Sequence, residues 1–231
     1  MQGAYGRGVD ITVHLSEPAH RDLPAVALGF RPHTGWAAMV AVAGDGPHIH
    51  VLSRQRAALL DESLPRQAFH AAAALPPDEA EGLIGNVRSD ACDAAVTVLE
   101  AATRIFDDMR GVAVVAWHPA VPDTLDRILS SHQLMHAAEG DLYRSALHDA
   151  AALLGLRVFE FLPADLPAVA ATTLGLTPQS LTDELGALGR RVGPPWQRDQ
   201  KDAALAAWLV LRLGGSPAAA VRRPPSGAAE T

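Results

Sequence analysis

The sequence contains little cysteine, little lysine and no long apolar run. Cys92 is the only cysteine among 231 residues, so no intramolecular disulfide can form, which fits a reducing compartment. The apolar stretches are short and interrupted, and no charged start followed by an apolar segment marks a signal peptide. These absences predict a soluble, cytoplasmic protein with no membrane association.

The scarcity of lysine bears on nucleic-acid binding. Lys201 is the only lysine, and the formal net charge is −7. This composition argues against a broad basic surface, but it leaves local arginine patches open. The candidate patches are Arg54, Arg56 and Arg66 in one segment, and Arg190, Arg191 and Arg198 in another.

Several catalytic signatures are also missing. The chain has no Gly-x-Ser-x-Gly turn, no phosphate-binding Gly-rich loop, no nicotinamide fingerprint after a strand and no Cys-x-x-Cys pair. These absences exclude the signatures and leave other kinds of enzyme open. Among the histidines, "HIH" (48–50) fits an edge strand, and "HQLMH" (132–136) lacks the glutamate of a zinc metalloprotease helix. We therefore predict no metal site from either pattern.

The composition provides one substantial core. Hydrophobic residues make up 48% of the chain, which suits one domain of this length. Residues 1–22 show no periodicity, and residues 214–231 are of low complexity and rich in proline. We therefore predict flexible tails at both ends of a single domain spanning 23–213.

The hydrophobic patterns predict an α/β fold. Three short apolar runs separated by turn residues predict consecutive strands at about 25–31, 36–43 and 47–54. A periodic segment from Pro77 to Gly111 has the start and stop marks of a helix, with a break allowed between Gly85 and Asp90. The run "VAVVAW" predicts a buried inner strand at 112–117. A helix, a strand and two helices then follow at about 140–155, 156–161, 178–190 and 197–213.

This order of elements is that of the ribonuclease H fold, a mixed five-stranded sheet in which three antiparallel strands are followed by crossover units. Three stretches carry a more specific resemblance. The segment "LGFRPHTGW" (28–36) resembles the first strand of RuvC-type Holliday-junction resolvases, which typically reads Leu-Gly-Ile-Asp-Pro-Gly and then Thr-Gly-Tyr or Thr-Gly-Trp. "VAVVAW" is similar to their fourth strand, and "DQKDAALAAWLVL" (199–211) to their closing Asp-x-x-Asp-Ala-Leu-Ala helix.

The resemblance implies a nuclease site that has lost part of its chemistry. Two-metal cleavage needs carboxylates from strand 1, strand 4 and the last helix. The strand 1 aspartate falls on Arg31, and the strand 4 glutamate falls on Trp117 or His118. Asp199 and Asp202 remain, three residues apart on one helical face. The resemblance then implies that Arg31 points toward these acids and forms charge-assisted hydrogen bonds in place of the metals.

Three functions follow as hypotheses. The leading one is a catalytically degenerate RuvC-like module without a cofactor, which binds a protein partner or a structured nucleic acid and pairs as a homodimer through the Ala-rich faces of 91–106 or 203–211. The first alternative is an active magnesium-dependent nuclease in which other acids join the pair, namely Glu100, Asp45 or Glu160. The second alternative is a small-molecule enzyme or binder that uses a cleft beside Arg31 and His118.

Overall fold

The computed structural model describes residues 24–44 and 48–214. The segments predicted as flexible tails lie outside the described residues, except that Gly214 ends the last helix. Asp45, one of the acids considered for an active nuclease, also lies outside them.

The described residues form one five-stranded mixed sheet. The strands are β1 Val26–His33, β2 Trp36–Ala43, β3 His50–Ala58, β4 Met109–Val115 and β5 Val158–Phe161. Their spatial order is β3-β2-β1-β4-β5, with β1 antiparallel to β2, β2 antiparallel to β3, and β4 parallel to both β1 and β5. This topology confirms the predicted ribonuclease H-like fold, including the inner position of β4.

Helices cover both faces of the sheet. They are α1 Ala68–Ala72, α2 Pro77–Ile105, α3 Leu125–Leu129, α4 His132–Leu153, α5 Leu166–Leu174, α6 Pro178–Val192 and α7 Arg198–Gly214. The first four pack on one face and the last three on the other, because alternate residues of the inner strands point into two separate apolar clusters. None of the helices in the described part of the chain is long and apolar enough to span a bilayer.

Some predicted boundaries were wrong. The long helix α2 continues without interruption from Pro77 to Ile105. Gly85, where the break was allowed, lies on the exposed side of the helix with open space where a Cβ atom would project, and so does Gly82. Neither glycine removes a packing contact from the helix. Helix α4 begins eight residues earlier than predicted, at His132 rather than 140.

The Ala-rich faces proposed for a homodimer are not free surfaces. Every residue from Ala203 to Val210 is buried inside the chain, between the sheet and α5. In the other segment, the apolar side of α2 that contains Ala91, Ala95 and Ala102 is also buried in the chain's own core. That part of the homodimer hypothesis is therefore wrong, and pairing through another surface stays a prediction.

Candidate functional site at the end of strand β1

A glycine brings the last helix against the first strand. A Cβ atom at Gly29 would overlap the backbone carbonyl of Ala203, so only glycine allows α7 to lie this close to β1. Arg31 and His33 point to the same face of β1 as Gly29, since side chains alternate along a strand. They lie beyond the point of closest approach and meet the first turns of α7, which runs in the opposite direction to β1.

Arg31 lies beside Asp202, as the resemblance implied, but not in the bonded arrangement that was predicted. Arg31 Nε is 3.9 Å from Asp202 Oδ2, which is an ion pair too long for a hydrogen bond. The guanidinium instead donates from Nη1 to the carbonyl of Val115 at 2.8 Å, at the end of the neighbouring strand β4. The arginine is therefore fixed by the sheet and places its charge near the acid.

Asp199 is paired with a residue that sequence reasoning misses. His33 Nε2 lies 3.0 Å from Asp199 Oδ2, so Asp199 meets His33 and not Arg31. The signal for His33 is present in the sequence, because it follows Arg31 by two residues and so shares its face of the strand. The turn residues of "PHTG" (32–35) predict that the strand ends at about residue 31. In the structure the strand continues to His33, which therefore shares the face of Arg31.

Asp202 is held in an unfavourable environment for a charged group. Its Oδ2 atom is buried without a hydrogen-bond partner, and the nearest cations are Arg31 and the exposed Arg198, whose Nε is 3.7 Å away. Burial raises the pKa of the Asp202 carboxyl above its usual range, Arg31 and Arg198 oppose this shift, and Asp199 adds to it. The acid is thus less readily ionised than a surface aspartate.

The start of α7 is anchored from the sheet by a second arginine. Arg54 on β3 donates from its guanidinium to the carbonyl of Val192 at the end of α6 and to those of Gly193, Pro194 and Pro195 in the loop before α7. One of the arginines considered for a nucleic-acid patch is therefore used for structure, since four carbonyl partners hold its guanidinium.

A ring stack extends the site from His33 toward the sheet edge. The His33 and Trp36 rings stack with centroids 4.3 Å apart, and the Arg56 guanidinium lies 3.8 Å from the Trp36 ring centroid. Trp36 is half-buried and Arg56 is exposed, so the stack presents a cationic and aromatic surface.

Trp117 and His118 follow the end of β4 instead of lying within it. The Trp117 side chain is 66% exposed, which is unusual for so large an apolar group. His118 Nδ1 lies 3.6 Å from Glu160 Oε2 on β5, and Glu160 Oε1 accepts a 2.6 Å hydrogen bond from Arg144. The contacts of His118 among the described residues thus belong to a neighbouring group of charges rather than to Asp199 and Asp202.

The two acids considered for an active nuclease that the structure describes, Glu100 and Glu160, pair with other residues than Asp199 and Asp202. Glu100 pairs with Arg104 on the exposed side of α2, and Glu160 pairs with Arg144 and His118. Among the described residues, the one group of three or more possible metal ligands lies elsewhere and contains neither aspartate.

Three surface depressions lie near the helices, away from Arg31 and His118. They lie against α1, α2 and α4, and none of these three is lined by either residue. One of them includes the half-buried Cys92, where burial and then the charge of Asp149 raise the pKa of the thiol. A raised pKa disfavours the thiolate, in agreement with a packing role for this cysteine.

The strand order, the pairing and the helix α7 laid against β1 define an α/β protein of the ribonuclease H-like class. No protein-family model and no curated protein matches the chain. Among solved structures, RuvC from Thermus thermophilus is 16% identical, with 82% of this chain and 96% of that chain covered and a TM-score of 0.46.

Two further solved structures are similar at the same level. RuvC from T. thermophilus in complex with a Holliday junction substrate is 17% identical, covers 82% of this chain and 96% of that chain, and has a TM-score of 0.47. The yeast mitochondrial Holliday junction resolvase Ydc2 is 10% identical, with 83% of this chain and 82% of that chain covered and a TM-score of 0.45. The fold assignment itself follows from the strand order and pairing.

Proposed function

We propose that this chain is a ribonuclease H-like module that binds structured nucleic acid and does not cleave it. The observation that carries the proposal is the position of Arg31, which lies beside Asp202 where the resemblance places a metal-binding aspartate. A fixed guanidinium at this position repels divalent cations and competes with them for the acid.

The charges around the two acids support the loss of metal binding. Asp199 and Asp202 are accompanied by Arg31, Arg198 and the His33 ring, so the two negative charges are already balanced by the two arginines. Hard divalent cations need several anionic oxygens and no competing cation. A phosphate group can also approach a balanced site more easily than one with uncompensated carboxylates.

The aromatic and cationic groups beside the acids support nucleic acid as the ligand. The exposed Trp117 ring offers a face on which a base can stack, and the exposed Arg56 guanidinium, which covers Trp36, offers a second planar surface. Arg198, whose side chain is 79% exposed, can contact a phosphate. The resemblance of 28–36 and 199–211 to RuvC-type resolvases makes branched DNA the first ligand to test.

The proposal is tested by binding assays with a four-way DNA junction, duplex DNA and an RNA–DNA hybrid, all without divalent cations. We expect the chain to bind at least one of them, and Trp117→Ala and Arg198→Ala to weaken that binding. Loss of one stacked base costs about 1–3 kcal/mol, which corresponds to roughly 5- to 150-fold in affinity.

Arg104→Ala is the matched control, because it removes an exposed positive charge from α2 at a distance in the fold from the acids. Equal weakening by Arg104→Ala would indicate only general electrostatic attraction. No binding to any of the three nucleic acids would overturn the proposal in favour of a protein partner.

A further inference from the structure

Three histidines from two helices meet in the helical layer on the other side of the sheet from α7. His70 lies on α1, and His132 and His136 lie on the first two turns of α4. One ligand nitrogen from each of the three rings lies within 4.8 Å of the others. The fold therefore adds a third imidazole to a pair that the sequence shows only at helical spacing.

The ring nitrogens of this histidine cluster lie close together. His70 Nε2 lies 3.1 Å from His132 Nδ1, and His136 Nε2 lies 3.0 Å from His132 Nε2. Nitrogens that bind one tetrahedral zinc at 2.0–2.1 Å are separated by roughly 3.4 Å. With one nitrogen from each ring, the three lie within 4.8 Å of one another, so the rings must turn to bring these nitrogens to that spacing. The exposed His132 ring, which faces its two partners with different nitrogens, has to turn most.

A buried carboxylate orients two of the rings. Glu139 is 2% exposed; its Oε1 is 2.8 Å from His70 Nδ1, and its Oε2 is 3.5 Å from His136 Nδ1. When both Nδ1–H groups point to Glu139, the Nε2 lone pairs of His70 and His136 point toward His132. Metal-binding histidines are typically oriented in this way by a carboxylate on the other ring nitrogen.

The histidine cluster and Glu139 form a closed ring of contacts, from Glu139 to His70, to His132, to His136 and back to Glu139. The contact between His136 and Glu139 is an ion-pair distance, and the other three are hydrogen-bond distances. A cation among the three rings would take one inward lone pair from each and leave the outward nitrogens of His70 and His136 facing Glu139.

We propose that His70, His132 and His136 bind one zinc ion, with Glu139 orienting His70 and His136. Three imidazoles favour zinc over magnesium or calcium, which prefer oxygen ligands. His132 and His136 are exposed, so a water molecule is the fourth ligand. An open depression lined by Thr34, Pro65, Arg66, Gln67, His70 and Ala71 adjoins the site.

The test is a zinc titration of the full chain, prepared without a histidine tag and freed of metal by a chelator. Competition with a chromogenic chelator should give one zinc per chain, and His132→Ala and His136→Ala should each abolish stoichiometric binding. Both side chains are exposed, so these variants should keep the fold. Glu139→Gln should keep the stoichiometry and weaken the affinity about 10- to 100-fold.

His148→Ala is the matched control, since His148 is an exposed histidine of the same helix outside the cluster. It should bind zinc as the unchanged chain does. Thermal unfolding gives a second readout, because zinc should raise the Tm of the unchanged chain and of His148→Ala but not of His132→Ala. Absence of stoichiometric zinc from the unchanged chain, or its retention by a His132→Ala/His136→Ala double variant, would overturn the proposal. Neither result depends on nucleic-acid binding.

Discussion

At the scale of single residues, the character of the site at the end of β1 depends on Arg31. Its guanidinium donates to the Val115 carbonyl and lies 3.9 Å from Asp202. It is too far from the carboxylate for a hydrogen bond, yet it occupies the space beside it. A carboxylate at this position would add an anionic ligand, whereas the arginine adds a positive charge. The proposed loss of metal binding therefore depends in large part on this one side chain.

Arg31→Asp should create a weak metal site. The substitution removes the competing cation and places a third carboxylate near Asp199 and Asp202, so we expect calorimetry to detect manganese binding in roughly the millimolar range. Arg31→Gln is the control, because it removes the charge without adding a ligand, and it should bind less manganese. Identical titrations of Arg31→Asp and the unchanged chain would show that Arg31 does not occupy the position of a metal ligand.

Asp202→Asn should stabilise the protein at neutral pH. Burial raises the pKa of Asp202 above its value in the unfolded chain, so between these two values the folded state holds more protons than the unfolded state. The free energy of unfolding therefore falls as the pH rises from the unfolded-state pKa to the folded-state pKa. Above the folded-state pKa, the ionised Asp202 carboxylate destabilises the folded protein. Asparagine keeps the shape without the charge, so its Tm should exceed that of the unchanged chain at pH 7.

The difference in Tm between Asp202→Asn and the unchanged chain should become smaller as the pH is lowered, because Asp202 then becomes protonated in the unchanged chain. Asp183→Asn, which changes an exposed acid of α6, should have little effect at any of these pH values. A lower Tm for Asp202→Asn at pH 7 would mean that the attraction of Arg31 and Arg198 outweighs the burial of the carboxylate.

At the scale of secondary-structure elements, the contact between β1 and α7 positions the site. Helix α7 is buried from Ala203 to Val210, and its first turn emerges where Arg31 and His33 end the strand. The small side chains of α7 and the absence of one at Gly29 allow this close packing. The acids are therefore placed by the packing of the helix that carries them.

Gly29→Ala should destabilise the fold strongly. The new Cβ would overlap the Ala203 carbonyl, which is backbone and cannot turn aside, so α7 must shift. We expect a loss of more than about 3 kcal/mol in the free energy of unfolding, at the upper end of overpacking effects. Denaturant unfolding measures this loss directly.

Gly82→Ala serves as the control, because Gly82 is exposed in α2 with open space around it. That change should stabilise the protein by roughly 0.5–1 kcal/mol through helix propensity. A similar stability for Gly29→Ala and the unchanged chain would contradict the close approach of α7.

The elements also show what the sequence can and cannot predict. The strands β1, β2 and β4 are predictable because their apolar runs are bounded by turn residues or glycine, and α7 because its alanines and acids resemble a known helix. Helix α5 is missed, since a nine-residue segment begun by "LP" carries little periodicity. Contacts between distant segments cannot be predicted from these patterns. His70 meets His132 only because α1 packs on α4. Beside this contact, the Tyr143 hydroxyl of α4 donates to the Arg66 carbonyl.

At the scale of the whole molecule, the two faces of the sheet carry separate arrangements of charge. The face covered by α7 carries the two acids with Arg31, Arg198 and His33, and the opposite helical layer carries the histidine cluster. The net charge of −7 makes general attraction to nucleic acid weak, so binding must depend on local groups. We therefore expect the affinity for nucleic acid to fall only modestly when salt is raised, in a binding series over several salt concentrations. A steep loss would indicate many phosphate contacts instead.

The most direct test of the central claim is a cleavage assay on a labelled four-way DNA junction in the presence of manganese. The unchanged chain should bind the junction and give no more product than Asp202→Asn, because Arg31 prevents paired cations from assembling at the acids. Junction cleavage by the unchanged chain that is abolished by Asp202→Asn would contradict the claim, and would show that Asp199 and Asp202 still serve a metal-dependent nuclease.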